Sequence, residues 1–498
     1  MHMKKNPSRF VCWALMAVAL SACGNSSGPS AATQVPGISN LPPTVVNPTQ
    51  VDVFAPGKRV SVPKAKCQPG DNVEPGLQGR VANADAAKAP FNCNLQLVGH
   101  LPDAAVDSLD SFNDCAYYGK GLAAGGAQVV DVSNSALPVP TGVLATPAMV
   151  DPWESLRVNV KRKLLVGDSN TNQFLDIYDI SGDCRVPKLL SSTQMQTANG
   201  HEGWFSPDGM TYFMSGRVPL TAVDISDPAH PKEIVSHAFD ASTHGGSTTE
   251  DGSRSFVCQQ APFPNDKLLI LDTSDITARK PGAAFKVISE IPLMDNQWCQ
   301  GAYRVTYKNH PFLIQYGERS SANDCSMSDA GWATFAYPRI YDLADEKNPR
   351  LISTMMLETA LPQNCQTVKG EGSQVSGFGY SVHHCTPDRL YDPTIIACSW
   401  FGSGMRVMDI RDPYHPKELA YYNPGTNSML GTVARPVIRA EKGEIWFTGA
   451  GGAGFFVVKF APGVWPFAGS APCPEANDYF YQQQNPASTC ATAKQVPN

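Results

Sequence analysis

The chain has 498 residues, of which 42% are hydrophobic and 17% are charged, and its formal net charge is −6. This length suits two or three average domains, or a single closed array of repeats. Charges of both signs are interspersed, and no basic run occurs of the kind that binds phosphate backbones. The composition therefore argues against nucleic acid as a partner.

Residues 1–22 have the pattern of a secretory signal peptide. Basic residues precede the apolar run Phe10–Leu20, which is too short to span a bilayer as a stable helix. Leu-Ser-Ala before Cys23 resembles the bacterial lipoprotein signal, which implies a lipidated, palmitate-bearing Cys23 as the first mature residue; an ordinary signal peptide is the alternative. Gly24 resembles the next residue of cargo sorted to the outer membrane. We expect a membrane-anchored lipoprotein on the periplasmic or cell-surface side.

Residues 23–60 are rich in Ser, Pro, Asn, Gly and Thr and contain few large apolar residues. Such a segment buries too little apolar surface to offset the entropy of ordering it. We therefore predict a flexible tether between the anchor and the folded part.

Twelve cysteines follow Cys23, and an even number in an exported protein predicts disulfide bonds. Connectivity cannot be read from sequence, but spacing suggests three of the pairs. These are Cys67 with Cys93 before the first repeat, Cys365 with Cys385 across a long loop, and Cys473 with Cys490 in the C-terminal tail.

One phrase recurs along the chain: aliphatic residues, an Asp, another aliphatic, and a polar turn that usually contains Pro, as in AVDISDPAHPKE at 222–233. The alternating part predicts a β-strand, and the Asp-Pro turn cannot continue a strand ladder. Spacings of 48, 45, 48, 70 and 67 residues separate the marked aspartates, which are Asp131, Asp179, Asp224, Asp272, Asp342 and Asp409.

Each phrase follows a further strand pair, clearest at 204–214, where Asp-Gly marks a hairpin. Four antiparallel strands per 45–50 residues is the period of a β-propeller. GFFVVKF at 454–460 marks a degenerate seventh unit, so we predict seven blades. The two long spacings predict insertions near 320–332 and 356–379, and Phe91–Leu101 is a candidate for the strand that closes the ring.

The phrase resembles the LVIVD repeat of extracellular bacterial and archaeal β-propellers, most closely at 222–234 and 407–419. The resemblance covers about residues 95–460 and implies the fold, but the family is largely of unassigned function. We therefore expect an all-β propeller over 61–472 and a C-terminal tail over 473–498, stapled by a disulfide bond.

The hairpins also serve as a register. His201 and His244 each lie seven residues before the Asp of an Asp-Gly hairpin, Glu154 and Arg435 take the same place in other units, and His383 and His384 lie near it in unit six. Gln300 or Arg304 occupies the place in unit five. Since the innermost strands of a propeller begin around one mouth of its channel, we expect these residues to converge, with Glu202 beside them.

Imidazoles with a carboxylate suit Zn²⁺ or Cu²⁺, so we predict a metal site formed by His201, His244, His383, His384 and Glu154. A histidine recurring at one register is also what a structural hydrogen bond in each blade would produce. Two functions follow. The first is a binding or scaffold propeller whose loop-rich face and channel mouth engage a protein, peptide or glycan. The alternative is a copper- or zinc-dependent enzyme, and the sequence does not decide whether the chain is catalytic.

Overall fold

The computed structural model describes residues 59–468, apart from 106–107, 122, 197–199, 217, 294, 296, 320–324, 372–376, 426–430 and 467. The predicted signal peptide, Cys23 and the predicted Cys473–Cys490 pair lie outside these residues. Within them, no helix combines the length and apolar character needed to cross a bilayer.

Seven antiparallel sheets form the blades of a β-propeller, as the repeat spacing predicts. Two strands precede the first blade, β1 (Phe91–Cys93) and β2 (Leu95–Leu101). Blades one to three are formed, four strands each, by β3 (Leu109–Phe112), β4 (Cys115–Gly119), β5 (Ala127–Asp131), β6 (Val139–Leu144), β7 (Arg157–Asn159), β8 (Leu164–Asp168), β9 (Phe174–Asp179), β10 (Lys188–Gln194), β11 (Glu202–Phe205), β12 (Thr211–Ser215), β13 (Leu220–Asp224) and β14 (Lys232–His237).

Blades four to seven continue the pattern, and the seventh takes its fourth strand from elsewhere. Their strands are β15 (Ser242–Thr248), β16 (Arg254–Gln260), β17 (Lys267–Asp272), β18 (Lys286–Pro292), β19 (Trp298–Tyr307), β20 (His310–Glu318), β21 (Arg339–Asp342), β22 (Arg350–Thr354), β23 (Val382–Pro387), β24 (Ile395–Trp400), β25 (Gly404–Asp409), β26 (Lys417–Asn423), β27 (Val437–Arg439), β28 (Glu444–Gly449) and β29 (Gly454–Phe460). Short helices connect some of them: α1 (Ser274–Thr277), α2 (Ser326–Asp329), α3 (Cys365–Val368) and 3₁₀ turns at Asn83–Lys88, Glu358–Ala360, Pro362–Asn364 and Ala440–Lys442.

The repeated aspartate ends the third strand of its blade and starts the turn. In blade three the Asp224 carboxylate accepts a hydrogen bond from the Ser226 backbone N–H at 2.8 Å, and Asp227 accepts one from the Ala229 N–H at 3.0 Å. These local bonds satisfy turn amides that the sheet cannot pair. The phrase therefore encodes the passage from the third strand to the outer strand.

Apolar side chains fill the space between neighbouring blades. Where blade seven meets blade one, Tyr118 and Val130 pack in one buried cluster with Trp446, Phe455 and Val457. Since strand side chains alternate between faces, each blade contributes one apolar set to each neighbour. The core is thus a series of layers around the ring.

The ring is closed by the N-terminal segment. Strand β2 pairs with β29 as the outer strand of blade seven, and β1 pairs with β26 as a fifth strand of blade six. The predicted closing role of Phe91–Leu101 is therefore confirmed for β2, while β1 joins the adjacent blade. At Gly99 in β2, a Cβ would lie 2.0 Å from the Ser135 carbonyl oxygen, so this crossing leaves no room for a side chain.

Five disulfide bonds lie in the described residues, and the predicted Cys67–Cys93 bond is one of them. The predicted Cys365–Cys385 pair is wrong. Cys385 lies directly opposite Cys398 in the β23–β24 ladder and bonds to it, while Cys365 bonds to Cys325. The other two bonds are Cys115–Cys184 and Cys258–Cys299.

Residues 59–90 pack against the propeller. The Arg406 side chain is fully buried and forms ion pairs with Glu74 of this segment and with Glu418 of blade six. The Val62 N–H donates to the Met356 carbonyl at 2.8 Å. This segment therefore belongs to the folded body rather than to the tether.

Two long connections occupy the predicted insertions. The first, residues 319–338, leaves β20 at Glu318, which pairs with Trp298 at the start of β19. The second, residues 355–381, leads directly into the start of β23. The Cys325–Cys365 bond joins them. Both connections therefore lie at the rim where the innermost strands of blades five and six begin.

Candidate functional site

The same rim carries a cluster of four histidines around one carboxylate. Glu154 lies just before β7, and its backbone N–H donates to the His201 carbonyl at 3.0 Å, which ties blade two to blade three. The distances from the Glu154 carboxylate oxygens to the Nε2 atoms are 3.7 Å for His201, 3.6 Å for His244, 3.2 Å for His383 and 3.4 Å for His384. The structure thus brings together all five residues of the predicted metal site.

Three of the histidines are oriented by an acceptor at the other ring nitrogen. Their Nδ1 atoms lie 2.8 Å from Asn170 Oδ1 in His201, 3.0 Å from Glu202 Oε2 in His244 and 2.8 Å from the Val433 carbonyl in His383. Because these oxygens accept hydrogen bonds, each Nδ1 carries a proton and Nε2 faces Glu154. Metal-binding histidines are typically held in this way.

Glu202 is the charged residue behind the ring of histidines. Besides His244, it binds Arg157 at 3.0 Å and Arg435 at 2.7 Å through Oε1. Burial raises its pKa, but the hydrogen bond from His244 and nearby positive charges outweigh burial and lower the pKa to about 2. Glu202 therefore stays ionised and fixes His244 rather than facing the centre of the cluster.

The two carboxylates also control protonation of His244. Burial disfavours the imidazolium, yet Glu154 and Glu202 outweigh it and raise the pKa of His244 to about 9. The surrounding imidazoles likewise overcome burial at Glu154 and hold its pKa well below the usual range. In the metal-free protein, Glu154 therefore stays ionised beside a protonated His244.

His384 differs from the other three histidines. Its side chain is 1% exposed, and neither of its ring nitrogens forms a hydrogen bond with any residue that the structure describes. Burial, together with repulsion from His383, lowers its pKa to about 3. The ring is therefore a neutral imidazole whose Nε2 lies 3.4 Å from Glu154 Oε2 without a hydrogen bond and whose Nδ1 has no hydrogen-bond partner in the described structure.

Two further residues lie beside the cluster. Glu318 Oε2, at the end of β20, lies 3.7 Å from His383 Nε2, and burial raises the pKa of Glu318. Trp153 has a φ of 44°, a left-handed conformation that is costly for a bulky residue, and its ring lies 5.8 Å from that of His201. Trp153 directly precedes Glu154 in the chain, whereas no sequence pattern predicts Glu318, because its place depends on how the blades meet.

Gln300 resolves the choice that the sequence left open in blade five. Its Nε2 donates to Glu154 Oε2 at 2.8 Å and lies 3.0 Å from His383 Nε2. Arg304 is further along β19 and lies near Glu250. Arg435 reaches Glu202 and stacks 5.8 Å from the Tyr303 ring centre. The cluster is thus lined by histidine, glutamate and glutamine, with arginine behind.

The four histidines differ in exposure. The His201 side chain is 20% exposed, whereas those of His244, His383 and His384 are 4% exposed or less. His201 is therefore the histidine of the cluster that is most accessible to solvent. Elsewhere, Cys67, Asp71 and Cys93 also lie close together, but the two cysteines form a disulfide bond and offer no thiolate.

Comparison with known proteins identifies the repeat. The model of the LVIVD repeat family matches residues 217–238, a range that contains the two outer strands of blade three, β13 and β14. The chain is a seven-bladed β-propeller that contains an LVIVD repeat. No curated protein matches it.

Solved structures similar to this propeller include three bacterial proteins. A protein from Lactobacillus plantarum has 13% identity and a TM-score of 0.43, and the match covers 63% of this chain and 82% of that one. Hydrazine synthase from Kuenenia stuttgartiensis has 10% identity and a TM-score of 0.48, with 74% of this chain and 97% of that one covered. The periplasmic gluconolactonase PpgL from Pseudomonas aeruginosa has 12% identity and a TM-score of 0.49, with 76% of this chain and 93% of that one covered. At these identities and TM-scores, no argument about function rests on them.

Proposed function

We propose that this propeller is a metal-dependent enzyme that binds copper or zinc at the channel mouth through His201, His244, His383, His384 and Glu154. One observation carries the proposal: four Nε2 atoms converge on one buried carboxylate at 3.2–3.7 Å. This geometry favours the enzyme over the purely scaffolding role that the repeat family alone would suggest.

Electrostatics supports a cation in this place. His244 is protonated in the metal-free protein, and a bound ion would displace its Nε2 proton. When the ring of His201 or His383 is neutral with its proton on Nδ1, the lone pair of Nε2 points at a carboxylate oxygen, and two lone pairs facing each other repel. A metal ion between them replaces this repulsion with bonds of about 2.0–2.1 Å. Imidazole and carboxylate donors without thiolate suit zinc and copper(II), and oriented Nδ1 atoms raise the basicity of the ligands.

A catalytic role for the ion fits the surroundings better than a structural one. The blades are held by their sheets, apolar layers and disulfide bonds, so folding does not need a metal at the rim. His201 is also partly exposed, which fits access of an exchangeable ligand to the ion. Bound zinc would activate water and bound copper would supply one-electron chemistry; the chain's own part is to orient the ligands and keep the carboxylates ionised.

The setting of the enzyme is part of the proposal. We place it as a lipoprotein anchored through Cys23 in the outer membrane, on the periplasmic or cell-surface side. The two insertions joined by Cys325–Cys365 lie at the histidine rim. A protein, peptide or glycan that docks on this face would therefore be presented to the cluster.

The test is the metal content of the full-length protein. Inductively coupled plasma mass spectrometry of the parent should find bound copper or zinc, and a variant with His201→Ala and His244→Ala should lose metal. The matched control removes His230 and His415, which lie in repeat turns with side chains 75% and 83% exposed. This control should keep the metal of the parent.

A parent that is purified without metal, and that takes up neither zinc nor copper on dialysis, overturns the enzyme proposal and favours the scaffold. If the His201 and His244 variant also unfolds at much lower temperature than the control, the histidines are structural groups. Loss of metal with an unchanged melting temperature supports the proposal.

A further inference from the structure

The cluster consists of two sets of donors rather than one. Glu154 with His201 and His244 forms a set whose ligand atoms lie within 4.8 Å of one another, and Glu154 with His383 and His384 forms a second such set. The described residues give no set at that separation that contains a histidine from each pair. Glu154 is the member that both sets share.

A single ion does not satisfy both sets as they stand. Ligand atoms bonded to one ion at about 2.0–2.2 Å lie at most about 4.4 Å apart, so all members of a set must be mutually close. The ligand atoms of each set, within 4.8 Å of one another, nearly meet this limit, whereas the described residues give no such set that combines the two histidine pairs. Glu154, in contrast, presents two oxygens, and each histidine pair contacts both of them.

A further carboxylate lies beside each set, behind the ring at Nδ1 in the first and on the Nε2 side in the second. In the first set His244 is held by the Glu202 carboxylate at 3.0 Å. In the second set the Glu318 carboxylate lies 3.7 Å from His383 Nε2. Each histidine pair therefore has its own additional carboxylate besides the shared Glu154.

The second set also contains groups that need a partner. His384 is buried and its ring nitrogens form no hydrogen bond within the described structure, and the same holds for Oε1 of Gln300. Gln300 is fully buried, and its Nε2 lies between Glu154 Oε2 and His383 Nε2. Unpaired polar atoms at such depth are rare unless a ligand or ion completes them.

We propose that the channel mouth holds two transition-metal ions, one bound by His201 and His244 and the other by His383 and His384, with the Glu154 carboxylate shared between them. This inference rests on the proposed function and adds the number of ions and the division of their ligands. Two-metal sites characteristically clamp an oxygen-bearing group between the ions. The substrate class it favours is therefore one with an oxygen anion or oxygen donor small enough to pass His201.

The experiment is a zinc titration of the metal-free, full-length protein, with bound zinc counted after gel filtration. The parent and the His230 plus His415 control should bind two ions per chain. Replacing His383 and His384 with Gln should leave one ion, and replacing His201 and His244 with Gln should also leave one. Far-ultraviolet circular dichroism of each variant shows whether it is folded.

The failures are distinguishable. One ion in the parent, lost with either pair, overturns the two-ion site but leaves metal dependence in place. Two ions that are both lost with either pair overturn the division into two sets. No ion in the folded parent overturns the proposed function as well. Electron paramagnetic resonance of the copper(II)-loaded protein gives a second readout. Magnetic coupling between the two ions should lower the integrated spin of the parent below two per chain, whereas each variant that lacks one histidine pair should give about one. Two uncoupled spins in the parent contradict the shared carboxylate.

Discussion

Protonation of His244 in the metal-free protein offers a direct test of the site's electrostatics. The perturbation is Glu202→Gln, which keeps the side-chain shape but removes the charge behind the ring. The pKa of His244 is about 9, compared with about 6.5 for an unperturbed histidine. At 1.36 kcal/mol per unit, the two carboxylates stabilise the folded imidazolium by about 3 kcal/mol beyond the cost of burial.

This stabilisation has a definite pH dependence. Because the folded pKa lies above the unfolded one, the contribution to the free energy of unfolding is complete below pH 6.5 and is lost as the pH rises through about 9. Glu202→Gln removes the charged hydrogen-bond partner and leaves Glu154 to oppose burial. The pKa of His244 should then fall by at least one unit, and the pH dependence should shrink with it.

The assay is NMR of the metal-free protein with ¹³C-labelled histidine, in which a His244→Gln variant identifies the signal. Urea unfolding of the disulfide-intact protein at pH 6.5 and 9 measures the matching change in stability. The control is Glu346→Gln, which removes a carboxylate from a partly exposed surface pair with Arg254. A His244 signal that titrates near pH 6.5 in the parent, or equally in parent and Glu202→Gln, refutes the reasoning.

Two further predictions concern the fold. Arg406→Met should destabilise the protein by about 3–5 kcal/mol, because it leaves the Glu74 and Glu418 carboxylates buried without a partner. The control Arg411→Met, at a largely exposed arginine, should cost less than about 1 kcal/mol. Equal midpoints of urea unfolding for the two variants would contradict this prediction. Gly99→Ala should cost about 1–3 kcal/mol, because its Cβ meets the backbone of blade one, whereas Gly142→Ala meets nothing within 4 Å; thermal unfolding that ranks the two alike would refute the role of Gly99.

The blade number could be predicted from sequence because the signals are local. The turn after Asp224 is stabilised by a hydrogen bond between residues two positions apart, so a short sequence pattern is enough to recognise it. The same locality made the Asp-Gly hairpins a usable register for His201 and His244. The convergence of these residues followed from propeller geometry rather than from any motif.

The rest of the site depends on contacts between blades. The Val433 carbonyl that orients His383 belongs to the backbone, and a backbone acceptor does not depend on the residue type, so the sequence does not reveal it. The mistaken Cys365–Cys385 pair shows the same limit, since it was suggested by the long loop that the two cysteines flank. Cys398 is a better partner for Cys385 because the two lie opposite each other in one ladder, and their positions in neighbouring strands were the available signal.

Closure by β2 has a consequence for how the chain is made. During synthesis the outer strand of blade seven emerges first, and its partner β29 emerges only after the whole span from Leu101 to Gly454. Until then blade seven is incomplete and the edge of β2 stays unpaired, which is the state most open to proteases and to pairing with other chains. A chain that is released before β29 has been made therefore cannot close the ring.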